Sequence, residues 1–373
     1  MYPFQVRQRV GTGICPTFRV NPAKNPVAQA GFSLVELMVG LTIGLLLLIG
    51  LSILFANSSA ARAELDKASR QVESGRYAMQ VLADDARHAG YYGALANAPG
   101  LPGTVTSLPD PCLTTLSVVQ DSIGLPLQGY AGAATAAALD AGKLGCLNAA
   151  AGYKTNTAVL VVRRADTAIA ASAATTGRFN IQVSGCPGDP VRYRLDVPSG
   201  TFDLHTNTAP GCTPITGAPL ATITPIYTRI YFISTCSGTD CSAAGADSVP
   251  TLKRIDVTTT GTTVTPIVDG IENLQFDYGM DNTTPFNGTP DVYTNSASHA
   301  AVTPSSLAEW LNVMSLRIYV LARNLDSTAG YAEAKTYVLG PVSVAPPSGA
   351  LASYKRHAYS EVVRLNNPAG RRE

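Results

Sequence analysis

The 373-residue chain is poor in charge: 14% of its residues are Asp, Glu, Lys or Arg, and they nearly cancel, leaving a formal net charge of +1. There is no basic domain, which excludes a nucleic-acid binder that relies on bulk electrostatics. Signatures of catalysis are missing as well, with no H-E-x-x-H, no G-x-S-x-G, no P-loop and no dinucleotide fingerprint. The four histidines, His88, His205, His299 and His357, are scattered, so each reads as a surface or packing residue rather than a base. Residues 1–30 contain no acid, only Arg7, Arg9, Arg19 and Lys24. From Phe32 to His88 there is no proline, so nothing in the covalent chain breaks a helix over that stretch.

What fills the proline-free stretch is first apolar and then amphipathic. Phe32 to Phe55 is almost entirely Leu, Ile, Val, Gly, Met and Phe, about two dozen positions, enough helix to cross the hydrocarbon core of a bilayer. One residue in it ionises, Glu36, and a carboxylate inside such a span costs roughly 2.5–3.5 kcal/mol, so it needs a partner. The positive flank upstream holds the amino terminus in the cytoplasm. Beyond the span, Leu65, Ala68, Val72, Met79, Leu82 and Ala86 recur at helical spacing among charged residues, predicting that the helix continues and docks this stripe on a folded head. At 1.5 Å per residue such a helix measures on the order of 80 Å. Gly90 is placed to end it in the left-handed conformation, while Gly40, Gly44 and Gly75 read as soft points or close-packing positions.

The remaining residues read as strands joined by long loops. Residues 94–155 show little periodicity beyond a short helix expected around 131–144. Strands are expected at 157–164, 179–183, 191–197 and 226–233, a hairpin at 252–257 and 262–268 around Thr260-Gly261, and further strands over Leu274–Tyr278, Trp310–Asn324 and Tyr354–Asn367. Seven cysteines are present; Cys15 lies in the basic leader, leaving Cys112, Cys146, Cys186, Cys212, Cys236 and Cys241 as disulfide candidates. Six cysteines allow 15 connectivities, and the sequence does not choose among them. Pairing neighbours in chain order joins Cys112 with Cys146, Cys186 with Cys212 and Cys236 with Cys241, the last across a Ser-Gly-Thr-Asp turn. With no C-x-x-C pair and no nearby histidine, a metal site is not expected. Asp277, Asp281, Asn282, Asn287 and Asp291 form an oxygen-rich cluster, but its spacing fits no EF-hand loop and it reads as a solvated loop.

Gly31-Phe32-Ser33-Leu34-Val35-Glu36-Leu37 resembles the processing site of type IV pilins and type II secretion pseudopilins. The resemblance implies cleavage between Gly31 and Phe32, methylation of the new amine on Phe32, and a role for Glu36 in assembly, neutralising that amine on its own or a neighbouring subunit. Asp85 to Gly93, Ile267 to Asp281 and Tyr354 to Asn367 narrow it to the PilW family of minor pilins, although Leu365-Asn366-Asn367 departs from the family's closing Leu-Arg-Asn.

The expected architecture is a pilin-like α+β fold with a leader at 1–31, cleaved, a transmembrane half-helix at 32–55, an amphipathic half-helix at 56–93 and a β-rich head at 94–373. The resemblance implies a single-pass inner-membrane protein with a periplasmic head, incorporated into a pilus near its tip, where it primes assembly. Implied partners are other minor pilins, the major pilin, the prepilin peptidase, the inner-membrane assembly platform and a tip adhesin, with the membrane and without nucleic acid. No cofactor, metal or catalytic residue is expected. The alternatives are a J-type pseudopilin of type II secretion and, in another class, a signal-anchored periplasmic enzyme or ligand-binding protein.

Overall fold

The computed structural model describes residues 31–95, 105–168, 171–206, 212, 219–296 and 300–372. The basic leader over residues 1–30, with Cys15, lies outside the described residues, as does His299. Two units are distinguished, residues 1–60 and 61–373. In the first, helix α1 begins; it runs Leu34–Arg87, 54 residues without a break. Its apolar part is long and apolar enough to cross a membrane and buries nothing within the chain, so its hydrocarbon surface is left for a bilayer or for other helices.

In the second unit the chain is an antiparallel β-rich head. Among the described residues the larger sheet has seven strands: β1 (Leu127–Tyr130), β2 (Val159–Ala165), β3 (Phe179–Val183), β4 (Tyr193–Asp196), β5 (Ile223–Ser234), β6 (Thr251–Val257) and β7 (Thr262–Asp269). The twelve-residue β5 is its spine. It pairs with β2 on one side and with β3 and then β6 on the other. The second sheet is ordered β13-β10-β8-β9, from β8 (Ile271–Met280), β9 (Val292–Tyr293), β10 (Val313–Arg323) and β13 (Arg356–Arg364). The short hairpin of β11 (Tyr337–Leu339) and β12 (Val342–Val344) is a separate two-stranded sheet, and the short helices α2 (Leu116–Ser122), α3 (Leu307–Leu311) and α4 (Asn366–Gly370) bury Val119, Trp310 and Ala369 respectively. The turn from β7 to β8 is made by Gly270 at φ +82°, a conformation that a side chain would strain.

The expected strands are present within a few residues of their sequence bounds, and β10 is central, flanked by β8 and β13. Of the expected loop region 94–155, residues 96–104 lie outside the described residues, and residues 105–155 are less loop-like than expected. Their Leu127-Gln128-Gly129-Tyr130 segment is fully buried as β1 and pairs with β2, and the helix expected around 131–144 is a 3-10 turn at Ala136–Gly142. Strand β1 escapes a periodicity search because half of it is Gln and Gly. Gln128 is buried because Arg163 donates to its Oε1 at 2.8 Å. Gly129 lies so close beneath the Tyr278 hydroxyl that a Cβ there would overlap it.

Candidate assembly site

Three parts of the chain hold the residues singled out in the sequence: the start of α1, the seat of α1 on the head, and the disulfides. At the start, Gly31, Phe32 and Ser33 are non-helical and Leu34 opens the helix. The Ser33 hydroxyl accepts from the Val35 N–H at 3.2 Å, and the Glu36 carboxylate accepts from the Ser33 N–H at 3.0 Å. This reciprocal pair is a capping box, S-x-x-E, which satisfies donors that the first helical turn leaves open. Its spacing was readable in the sequence but is masked there by the apolar run around it. One turn on, Phe32, Glu36, Leu37, Gly40, Leu41, Gly44, Leu45 and Leu48 line an open groove of about 490 Å³ along one helix face. A Cβ at Gly40 or Gly44 would meet nothing within 4 Å, so neither glycine is required by packing within the chain. The same holds for Gly31.

The seat of α1 is a ladder of contacts spaced three or four residues apart. Glu64 accepts from Lys355 at 2.8 Å, from Lys67 at 2.9 Å and from the Thr328 hydroxyl at 2.9 Å. Those bonds, from Lys355 first and then Lys67 and Thr328, hold its pKa down at about 2. Gln71 follows, its amide donating to the carbonyls of Ala322 at 3.0 Å and Lys355 at 2.9 Å. Gly75 comes next, so close under the Tyr359 ring that a Cβ would lie 2.2 Å from Cε2. Ala78, Met79, Leu82, Ala83 and Ala86 then enter the core between the sheets, against Leu160, Leu274, Leu316 and Ile318.

This seat corrects the expected stripe. Met79, Leu82 and Ala86 are buried, but Leu65 is 69% and Val72 37% exposed, and Ala68 is exposed with them. They line an open groove of about 1010 Å³ with Tyr77, Ile267 and Leu325. The helix meets the head along Gln71 and Gly75 instead: the Gln71 amide reaches two main-chain carbonyls, and at Gly75 the Tyr359 ring leaves no room for a side chain.

Near the end of α1, Asp85 is buried and carries three donors. Its Oδ1 accepts from Arg164 Nε at 2.6 Å and from an Arg229 terminal nitrogen at 2.7 Å, and its Oδ2 accepts from the Tyr231 hydroxyl at 2.8 Å. Burial, and then the Asp85 carboxylate, push the Tyr231 hydroxyl well above the usual tyrosine range. Arg229 also faces Asp256 at 3.4 Å and stacks 4.6 Å over the Tyr227 ring. Gly90 is left-handed as expected, at φ +72°, three residues beyond the last helical residue Arg87, and its N–H donates across to the Arg163 carbonyl of β2 at 2.9 Å rather than back to the helix. The chain's last residues cap the same end: Asn367 donates to the Ala89 carbonyl at 3.1 Å and Arg371 to the Gly90 carbonyl at 2.8 Å.

Cys112 is bonded to Cys146, Cys186 to Cys212 and Cys236 to Cys241, with Cα–Cα distances of 5.5, 5.3 and 5.6 Å. The oxygen-rich cluster is in large part the exposed loop that its composition suggests, with Asn282, Asn287 and Asp291 exposed, but two of its acids are buried. Asp281 is fully buried and accepts from the backbone N–H groups of Asn287 at 3.0 Å and Gly288 at 2.8 Å, while Asp291 accepts from Asn282 at 2.8 Å. Asp277 sits apart on β8, bonded to the Tyr319 hydroxyl at 2.8 Å. Among the described residues, no group of three or more His, Cys, Asp or Glu is placed to hold a metal ion. His88 bonds to the Asp84 carbonyl, His205 to Asp189, and His357 packs edge-on to Tyr359.

Residues 230–367 match the family model described as type IV pilus-assembly protein W. Residues 27–52 match that of the prokaryotic N-terminal methylation motif. The first covers the end of β5 through β13, including all of the second sheet, and the second covers the capping box and most of the apolar helix. No curated protein and no solved structure matches the chain.

Proposed function

We propose, from the premise that the chain matches a PilW-family type IV minor pilin, that it primes pilus assembly and is carried near the fibre tip. PilW is a structural family, and the role assigned is assembly rather than catalysis. A membrane peptidase cuts between Gly31 and Phe32 and methylates the new amine. Gly31 meets no packing demand of its own, which fits a glycine kept for a protease. The span 32–55 anchors the chain in the inner membrane, with the cysteine-bearing head on the periplasmic side, where disulfides persist. Its partners are other minor pilins, the major pilin, the inner-membrane assembly platform and a tip adhesin.

The observation that carries this reading is the shared face of Phe32, Glu36, Gly40 and Gly44. Cleavage places a cation at Phe32, one helical turn from the Glu36 carboxylate. Side by side on an open groove, the two neutralise one another within a subunit or between neighbours, and a neutralised pair is far cheaper to bury in hydrocarbon than either ion alone. The two glycines let another helix approach that face. A single carboxylate thus distinguishes a packed helix from an idle one.

The test is Glu36→Ala in the full chain. Cleavage, followed by the mass of the membrane-bound protein, proceeds as in the parent, while surface piliation falls at least tenfold. Normal piliation in that variant overturns the role given to Glu36.

A further inference from the structure

Lys253 lies in β6 with no exposed surface. Its ammonium ends against a disulfide: Nζ is 3.4 Å from Cys236 Sγ and 3.3 Å from Cys241 Sγ, and it donates to the Gly238 carbonyl at 2.5 Å. Among the described residues no carboxylate pairs with it. Burial pushes the Lys253 pKa down, against the pull of Asp247, Asp240 and Asp269. A buried ammonium calls for strong acceptors. In the oxidised bond it has one carbonyl and two weakly accepting sulfurs; a thiolate in the same place would be a full counter-ion.

The two cysteines are not equally exposed as residues, and the Cys241 sulfur also contacts the Ser234 hydroxyl at 3.1 Å. Cys236 is 1% exposed, whereas Cys241 is half-buried beneath an exposed turn over residues 238–240. The other two disulfides have no cationic donor at sulfur among the described residues; Cys112 Sγ accepts only the Cys146 backbone N–H, at 3.2 Å. We propose that the Cys236–Cys241 bond is a thiol–disulfide exchange site, at which an external dithiol attacks Cys241 Sγ and Cys236 leaves as a thiolate paired with Lys253.

The step balances. The attacking thiolate forms a mixed disulfide with Cys241 as the Cys236–Cys241 bond breaks, the electron pair passing to Cys236 Sγ. The second thiol of the attacking dithiol, deprotonated by solvent, then displaces Cys241. That sulfur takes a proton, the external pair ends as a disulfide, and two electrons have moved to the protein. A lowered leaving-group pKa speeds such exchange and raises the potential of the bond.

The bond closes only a short loop, and short loops stabilise a fold least, which by itself favours opening here. The test therefore includes the lysine. The full-length chain in detergent is equilibrated in graded reduced and oxidised dithiothreitol, quenched in acid, and its cysteines are alkylated and mapped by mass spectrometry. Cys236 and Cys241 are expected to open first, with a reduction constant at least tenfold larger than either other pair, about 30 mV for a two-electron couple. Lys253→Met removes about tenfold of that constant, and Lys253→Arg retains it. Opening of another pair first in the parent chain overturns the proposal whether or not the variants fold. So does a Lys253→Met chain, folded with its other two bonds intact, that opens as readily as the parent.

Discussion

At the residue scale the decisive group of the head is Asp85. A buried carboxylate is costly unless every lone pair is used, and here two guanidiniums and a phenol use them. Asp85→Ala leaves the largely buried Arg164 without its carboxylate and Arg229 with Asp256 alone. Removing one partner of a buried ionic group costs roughly 3–5 kcal/mol, so the denaturant midpoint of the variant falls accordingly, while Asp85→Asn, which keeps an acceptor for Tyr231, loses less. Equal midpoints for Asp85→Ala and the parent would show that the triad does not hold α1. None of this was legible beforehand. In the sequence Asp85 is read only as the first residue of a family motif, Asp85 to Gly93, and the register of β2 and β5 is what brings Arg164, Arg229 and Tyr231 beneath it.

At the scale of the element, α1 shows what a hydrophobicity pattern reads and what it misses. Helix existence was plain, because apolar spacing and the lack of proline both demanded it. The docking register was not, because two of its positions are a glutamine and a glycine. Gln71 holds the head through two main-chain carbonyls, and Gly75 contributes by having no side chain. Leu65, Ala68 and Val72, greasier and correctly spaced, stay exposed one residue out of register. Gly75→Ala drives a methyl into the Tyr359 ring, and overpacking of this kind costs about 1–3 kcal/mol. The expected result is faster hydrogen exchange of amides 64–79 and a lower thermal midpoint, with Tyr359→Ala in the same chain recovering more than half of the loss. Absence of any rescue would mean that Gly75 acts through the helix backbone and not through Tyr359. Strand β1 tells the same story from the sheet side, since Gln128 and Gly129 are buried for the partners they meet and not for their own hydrophobicity.

At the scale of the molecule, an apolar helix with a methylation motif is followed by a β-rich head whose second sheet lies within the PilW match. The family match leaves residues 53–229 outside both models. Those residues hold the docking half of α1 and strands β1 to β4. What the motifs could not convey is the way the chain's closing residues return to the end of α1. Asn367 and Arg371 cap the carbonyls of Ala89 and Gly90, so the departure from the family's closing triplet still leaves an amide where the helix end needs a donor.

The central claim is that this polypeptide is matured at Gly31 and polymerises with a free, methylated amine beside Glu36. Sheared pili from cells producing the native chain, analysed by intact mass and peptide mapping, are predicted to contain it beginning at N-methylated Phe32. A chain that remains in the membrane with residues 1–31 attached, and that never appears in the sheared fraction, would contradict the account.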